Sequence, residues 1–104
     1  MGVLFDIDFI IMEEKRYSIQ IGYNVEDVAG QNILIAPATE DIDYSKMLVL
    51  SESAAFVVNL LIKNSLTFDE ILRAINNEYE ADENVVRTEL TELLDRLSQN
   101  HVLA

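Results

Sequence analysis

Residues 46–61 read Lys46-Met47-Leu48-Val49-Leu50-Ser51-Glu52-Ser53-Ala54-Ala55-Phe56-Val57-Val58-Asn59-Leu60-Leu61, and the hydrophobic period changes within them. Lys46–Leu50 reads as a short strand. From Ser51 onward the period is 3.6, with Ala54, Val57, Val58 and Leu61 on one helical face that runs to about Lys63. Ser51 suits the N-cap, where a side-chain oxygen accepts from a free backbone amide of the first turn. The chain thus divides at this junction into a strand-like half and a helical half.

Downstream, Asn64-Ser65-Leu66 breaks the first helix. Thr67-Phe68-Asp69-Glu70 is a capping box that opens a second helix with the stripe Phe68, Ile71, Leu72, Ile75 and Tyr79. Asp82 caps a third helix, and Glu83 complements its positive end. Val86, Leu90, Leu93, Leu94 and Leu97 form the buried stripe of that helix. Asn100 suits a left-handed C-cap, and Val102-Leu103 returns to the core.

Upstream, a strand is expected at Tyr23–Val28 and another at Asn32–Ala36, joined through Ala29-Gly30-Gln31 as a hairpin. Pro37 ends the second strand because it cannot donate to a ladder. Thr39–Asp43 is an acidic loop. Residues 3–12 alternate through Phe5-Asp6-Ile7-Asp8-Phe9 and read as an additional strand, followed by the charged break Glu13-Glu14-Lys15-Arg16. The fold class is therefore α+β. It combines a small antiparallel three-stranded sheet packed on three helices, similar to a winged helix–turn–helix, with an N-terminal arm at residues 1–16. The domain proper is residues 17–104.

Composition narrows the function. Over 104 residues, 7 basic side chains face 19 acidic ones, a formal charge of -12. Binding to phosphate backbones is driven by Lys and Arg displacing counterions, so nucleic acid and anionic membrane surfaces are poor partners. A basic or neutral peptide would be attracted. No cysteine is present, which excludes a thiol catalyst, a disulfide scaffold and cysteine-ligated metal, and fits a cytoplasmic protein. No segment has the roughly 20 apolar residues of a membrane span. The N-terminus lacks the basic start and small-residue site of a signal peptide.

The search for chemistry finds little. The one histidine, His101, stands near the C-terminus and reads as a helix-end or solvated side chain. Glu40-Asp41-Ile42-Asp43 lacks the glycine and distal glutamate of a calcium loop. Gly2, Gly22 and Gly30 are too scattered to cradle an anion. The third helix sets Arg87 and Arg96 among Glu83, Glu89, Glu92 and Asp95, which is wrong for reading DNA. Asn64-Ser65-Leu66 is similar to the serine site of an acyl carrier protein. However, it has asparagine where the carrier has aspartate, and it comes too late in the chain. No catalytic residue, metal ligand or cofactor site is expected.

In order along the chain, Asn24-Val25-Glu26-Asp27-Val28-Ala29-Gly30-Gln31 with Ile33-Leu34-Ile35-Ala36-Pro37, then Met47–Phe56, Thr67-Phe68-Asp69-Glu70-Ile71, Glu78-Tyr79-Glu80-Ala81-Asp82, and Leu93, Leu97 and Val102-Leu103 resemble the PqqD-like proteins, also called RiPP recognition elements. The resemblance covers Tyr23–Leu103. Ser51 replaces a usual asparagine, Ala54 a usual glycine, and Asn100 stands where glycine often follows the last helix. Each substitution keeps a cap or a small residue.

The resemblance implies a non-catalytic adaptor that holds the leader of a ribosomally made precursor peptide. It would present that leader to a modifying enzyme, a radical SAM maturase or a leader protease. The leader would add as a strand beside the third strand, in a groove against the third helix, with backbone bonds holding it and pockets reading alternate side chains. The implied peptide-binding strand is Lys46, Met47, Leu48, Val49 and Leu50, with Met47 and Val49 on the face opposite Leu48 and Leu50. On the third helix, 100° per residue puts Val85, Glu89, Glu92 and Arg96 on one flank of the core stripe, and these four are the expected contacts. Arg87 and Leu94 lie on the other flank. A protein–protein adaptor of another kind is the alternative. The arm Val3–Met12 would bury Phe5, Ile7 and Phe9. Its partner is its own sheet, a second subunit (giving a homodimer that could block the groove) or the maturase.

Overall fold

The computed structural model describes residues 15–37 and 47–104. The expected arm strand at 3–12, the loop at 39–43 and Lys46 lie outside the described residues. The elements are β1 (Arg16–Tyr17), β2 (Asn24–Val28), β3 (Gln31–Ile35), β4 (Leu48–Leu50), α1 (Glu52–Lys63), β5 (Leu66–Thr67), α2 (Phe68–Glu78) and α3 (Glu83–Gln99). The expected α+β architecture is present. β2-β3-β4 form an antiparallel sheet with three helices, joined by a second, two-stranded pairing of β1 with β5.

The β2–β3 turn is tighter than the expected three residues. Val28 pairs directly with Gln31, leaving only Ala29 and Gly30 in the loop. Both have positive φ, 54° and 84°. Two successive left-handed residues match the right-handed twist of the strands they join. The Gly30 N–H donates to Asp27 Oδ1 at 2.9 Å and fixes the turn. A second constrained glycine, Gly22, has φ +100°, and a Cβ there would come within 2.8 Å of the Pro37 ring.

The helices begin where capping chemistry places them. Ser51 Oγ accepts from the Ala54 N–H at 3.1 Å. At α2 the Glu70 N–H donates to Thr67 Oγ1, and the Thr67 N–H donates to Glu70 Oε1 at 2.9 Å. Asp82 Oδ1 accepts from Asn84 and Val85 at the start of α3. The core lies between the helices and one face of the sheet. Val58, Leu61, Ile71 and Leu97 are essentially inaccessible, and Leu34 and Leu50 close the core from the sheet. All five expected stripe residues of α3 are buried.

The end of α3 differs from expectation. Asn100 has φ -94°, outside the left-handed region, and the left-handed residue is His101 at φ 59°. The His101 N–H donates to the Ser98 carbonyl and the Val102 N–H to the Leu97 carbonyl, the paired bonds of a Schellman motif. The motif needs its left-handed residue one position after the cap, and that position is occupied by histidine. Val102 then buries its side chain.

Leu66, expected only to break a helix, forms β5 with Thr67 and pairs with β1. Arg16 Nη1 also donates to the Ser65 carbonyl and sits 3.5 Å from Glu70 Oε1. Beyond β1, the Ile19 N–H donates to the Leu61 carbonyl, the Gln20 N–H to Val102, and the Ala104 N–H to Ser18. Residues 16–20 thus tie the α1–α2 corner to the C-terminal tail.

Two outcomes follow. Glycine at Ala29 or at His101 removes the Cβ clash of a left-handed residue. Each of A29G and H101G should raise stability by about 0.5–1 kcal/mol in urea denaturation, net of glycine's greater freedom when unfolded. The hydrogen bond from Thr67, aided by Arg16 and Arg73, holds the Glu70 carboxyl below its ordinary value against partial desolvation. A lowered folded value means stability that is complete above the unfolded pKa and lost as pH falls through the folded one. The stability of the native chain should therefore drop more steeply below pH 4.5 than that of Glu70→Gln, in urea titrations at stepped pH.

Candidate functional site: an open strand edge beside an α3 groove

β4 pairs only with β3, so its other edge is open among the described residues. The hairpin register decides which groups face outward. In a two-residue hairpin the residues flanking the turn exchange both backbone bonds, and bonded and non-bonded pairs then alternate along the strands. Val28–Gln31 is therefore a bonded pair, and Ile33 turns its N–H and C=O to β2. Asn32 and Leu34 turn theirs to β4, opposite Leu50 and Leu48. The groups of Leu48 and Leu50 are thereby consumed. The N–H and C=O of Val49 point outward along the open edge.

The side chains alternate with the pleat. Leu50 is buried and Leu48 half-buried on the core face, whereas Val49 is 53% exposed on the other. This is the expected alternation. Val49 provides backbone groups on one side of the strand and an apolar side chain on the outer face of the sheet.

Where β4 ends, a groove of about 460 Å³ begins. Ser51, Ser53, Ala54 and Val57 line it from the start of α1. Ile75, Tyr79, Glu80 and Ala81 line it from the α2–α3 corner, and α3 contributes Val85, Val86, Glu89, Leu90, Glu92, Leu93 and Arg96. The floor is apolar because Val57, Ile75, Val86, Leu90 and Leu93 are core residues. The wall is the flank picked out by the helical wheel. Val85 is 52% exposed, and Glu89, Glu92 and Arg96 are exposed beside it. All four residues expected on α3 are thus brought to one groove. Leu48 and Val49 lie in β4, which leads into the groove at Ser51; they and Met47 do not line it. On the opposite flank, Arg87 is exposed and 3.8 Å from Glu83, and Leu94 is buried.

Tyr79 was legible in the sequence only as a core residue. It is half-buried, stacks edge-on against Phe56 at 5.6 Å and also lines the groove. Partial desolvation, helped by the carboxylates of Glu52 and Glu78, raises its pKa above the ordinary value of 10.0. Its position at the end of the α2 stripe, next to the break before α3, was the available signal.

The groove offers shape, apolar surface and charge. Among the described residues no cluster of His, Asp or Glu could hold a metal ion, and no helix is long and apolar enough to cross a membrane.

The sequence profile of Coenzyme PQQ synthesis protein D (PqqD) matches residues 31–103. The chain belongs to the PqqD family. The match spans β3 through the tail after α3, and so includes both the open edge and the groove. No curated protein matches the chain. A solved structure, "TbiB1 in Complex with the TbiA(beta) Leader Peptide", matches with a TM-score of 0.61 at 21% identity, covering 83% of this chain and 93% of that one. At that identity the match establishes a shared fold. The PqqD assignment and the shared fold agree with the resemblance drawn from the hairpin, capping box and α3 stripe.

Backbone amide exchange tests the edge geometry. The Val49 N–H should exchange rapidly in the free protein. The N–H groups of Leu48 and Leu50, bonded to β3, should be protected by a factor of about ten or more. Protection of Val49 equal to theirs would contradict the register.

Proposed function

We propose that this protein is a non-catalytic adaptor that holds the leader of a ribosomally made precursor peptide as a strand added to β4. It presents that leader to a modifying enzyme, a radical SAM maturase or a leader protease. The observation that carries the reading is the outward Val49 N–H and C=O next to an apolar-floored groove. An added strand needs unpaired backbone groups for affinity and a pocketed surface for alternate side chains, and the two adjoin here. Membership of the PqqD family supports it, as does the fold shared with a protein whose structure is described as a leader-peptide complex.

The added strand would lie between β4 and α3. Its backbone bonds to Val49 and its inward side chains enter the groove. An open edge is an aggregation hazard unless it is short or used, and β4 is both three residues long and flanked by a groove. The peptide-binding residues in this reading are Met47, Leu48, Val49, Val85, Glu89, Glu92 and Arg96, with Lys46 at the start of the edge.

Titration calorimetry against the leader encoded beside this chain tests the reading. Binding is expected, and Val49→Pro should weaken it about tenfold or more by deleting an outward donor that β3 does not use. The variant should retain its helical circular dichroism. Unchanged affinity in Val49→Pro would place the peptide elsewhere, and absence of binding to the native chain would overturn the adaptor reading.

A further inference from the structure

The charges along the groove are ordered, and that order says which peptides fit. The groove follows α3 from Val85 to Arg96. At 1.5 Å per residue, Glu89 and Glu92 lie about 6 and 10 Å along the helix from Val85, and Arg96 about 16 Å along it. In an added strand, alternate side chains recur about every 6.7 Å, so three successive inward side chains span about 13 Å. The first falls at Val85 and Tyr79, the second at the two glutamates and the third toward Arg96.

The chemistry of the three positions differs. The Val85 end carries half-exposed apolar surface in a groove that Tyr79 also lines. The middle has two carboxylates one turn apart. The far end has a guanidinium. The ion pairs among the described residues are Arg16–Glu70 and Arg87–Glu83, so the glutamates and Arg96 keep their charges for a ligand. Glu92 and Arg96 are spaced i,i+4, the favoured arrangement for an intrahelical pair, yet they do not pair. Glu80 at the α2–α3 corner adds to the negative field of the first two positions.

We infer that the groove selects a peptide whose inward side chains, at alternate positions, run apolar, basic, acidic from the Val85 end to the Arg96 end. The inference rests on the strand-addition reading and deepens it by specifying the segment bound. Exposed charges contribute little net affinity singly, but they reject the wrong partner, because like charges brought together in a partly dry groove are repelled.

The probes are fluorescein-labelled decapeptides with threonine and serine flanks. Two carry the centre Leu-Thr-Lys-Thr-Asp in either order, and two carry the charge-exchanged centre Leu-Thr-Asp-Thr-Lys in either order. Fluorescence anisotropy is read for the native chain, for the triple variant Glu89→Lys/Glu92→Lys/Arg96→Glu and for Val49→Pro. The three charge changes are at exposed positions and should leave the circular dichroism spectrum intact. The native chain should prefer one order of the first centre about tenfold over its charge-exchanged counterpart, less so at high salt, and the triple variant should invert that preference. Equal binding of all four peptides by the native chain, lost in Val49→Pro, overturns the charge order and leaves strand addition standing. No binding of any of the four peptides at millimolar concentration overturns the charge order alone, and binding that survives Val49→Pro overturns both.

Discussion

The register of the β2–β3 hairpin is the constraint on which the site depends. Two left-handed residues, Ala29 and Gly30, make Val28 and Gln31 direct partners. Alternation then fixes the direction of every backbone group across β3 and β4. A slip of one residue would turn the Val49 N–H and C=O inward to β3 and move Leu34 and Leu50 from the core to the outer face. Burial of those two leucines therefore enforces the same register that exposes the edge. In this account, core packing and peptide recognition are two consequences of one alternation.

The helices give the edge a neighbour. Residues 16–20 bond to Leu61, Val102 and the C-terminal Ala104, and β1 is held to the α2 capping box through Arg16. These bonds brace the corner of α1 and α2 and the end of α3. The α3 stripe from Val86 to Leu97 is then fully used by the core. Its flank from Val85 to Arg96 is left lining the groove that begins at Ser51, where β4 ends. A net charge of -12 makes that groove attractive to basic residues and unattractive to phosphate.

Much of this was readable in the sequence because caps and stripes are local. Ser51, Thr67 with Glu70, and Asp82 set the helix starts by side chain to backbone bonds spanning three residues, and the α3 stripe and its flank follow from 100° per residue alone. The parts not readable are those set by partners distant in sequence. β1 and β5 are two residues each and exist because Arg16–Tyr17 and Leu66–Thr67 meet across about fifty positions. Gly22 looked incidental until Pro37 was placed against it. His101 as the left-handed residue depends on which carbonyls α3 leaves free at its end, and asparagine one position earlier was the better residue type for a conformation it does not adopt. The groove lining at Tyr79 needed the α2–α3 corner. The third strand was expected as the peptide-binding edge; the two-residue turn that fixes the outward direction of the Val49 groups was not, because Ala29 adopts a positive φ that its residue type does not favour.

The central claim is that a leader peptide lies against β4 as a strand. Isotope-filtered nuclear Overhauser spectra of the labelled protein with its unlabelled cognate leader test it most directly. The account predicts close backbone proton contacts from Leu48, Val49 and Leu50 to consecutive peptide residues, together with side-chain contacts from Val85 and Tyr79 to alternate ones. Peptide contacts confined to residues 16–20 and the C-terminal tail, with none to β4, would contradict it.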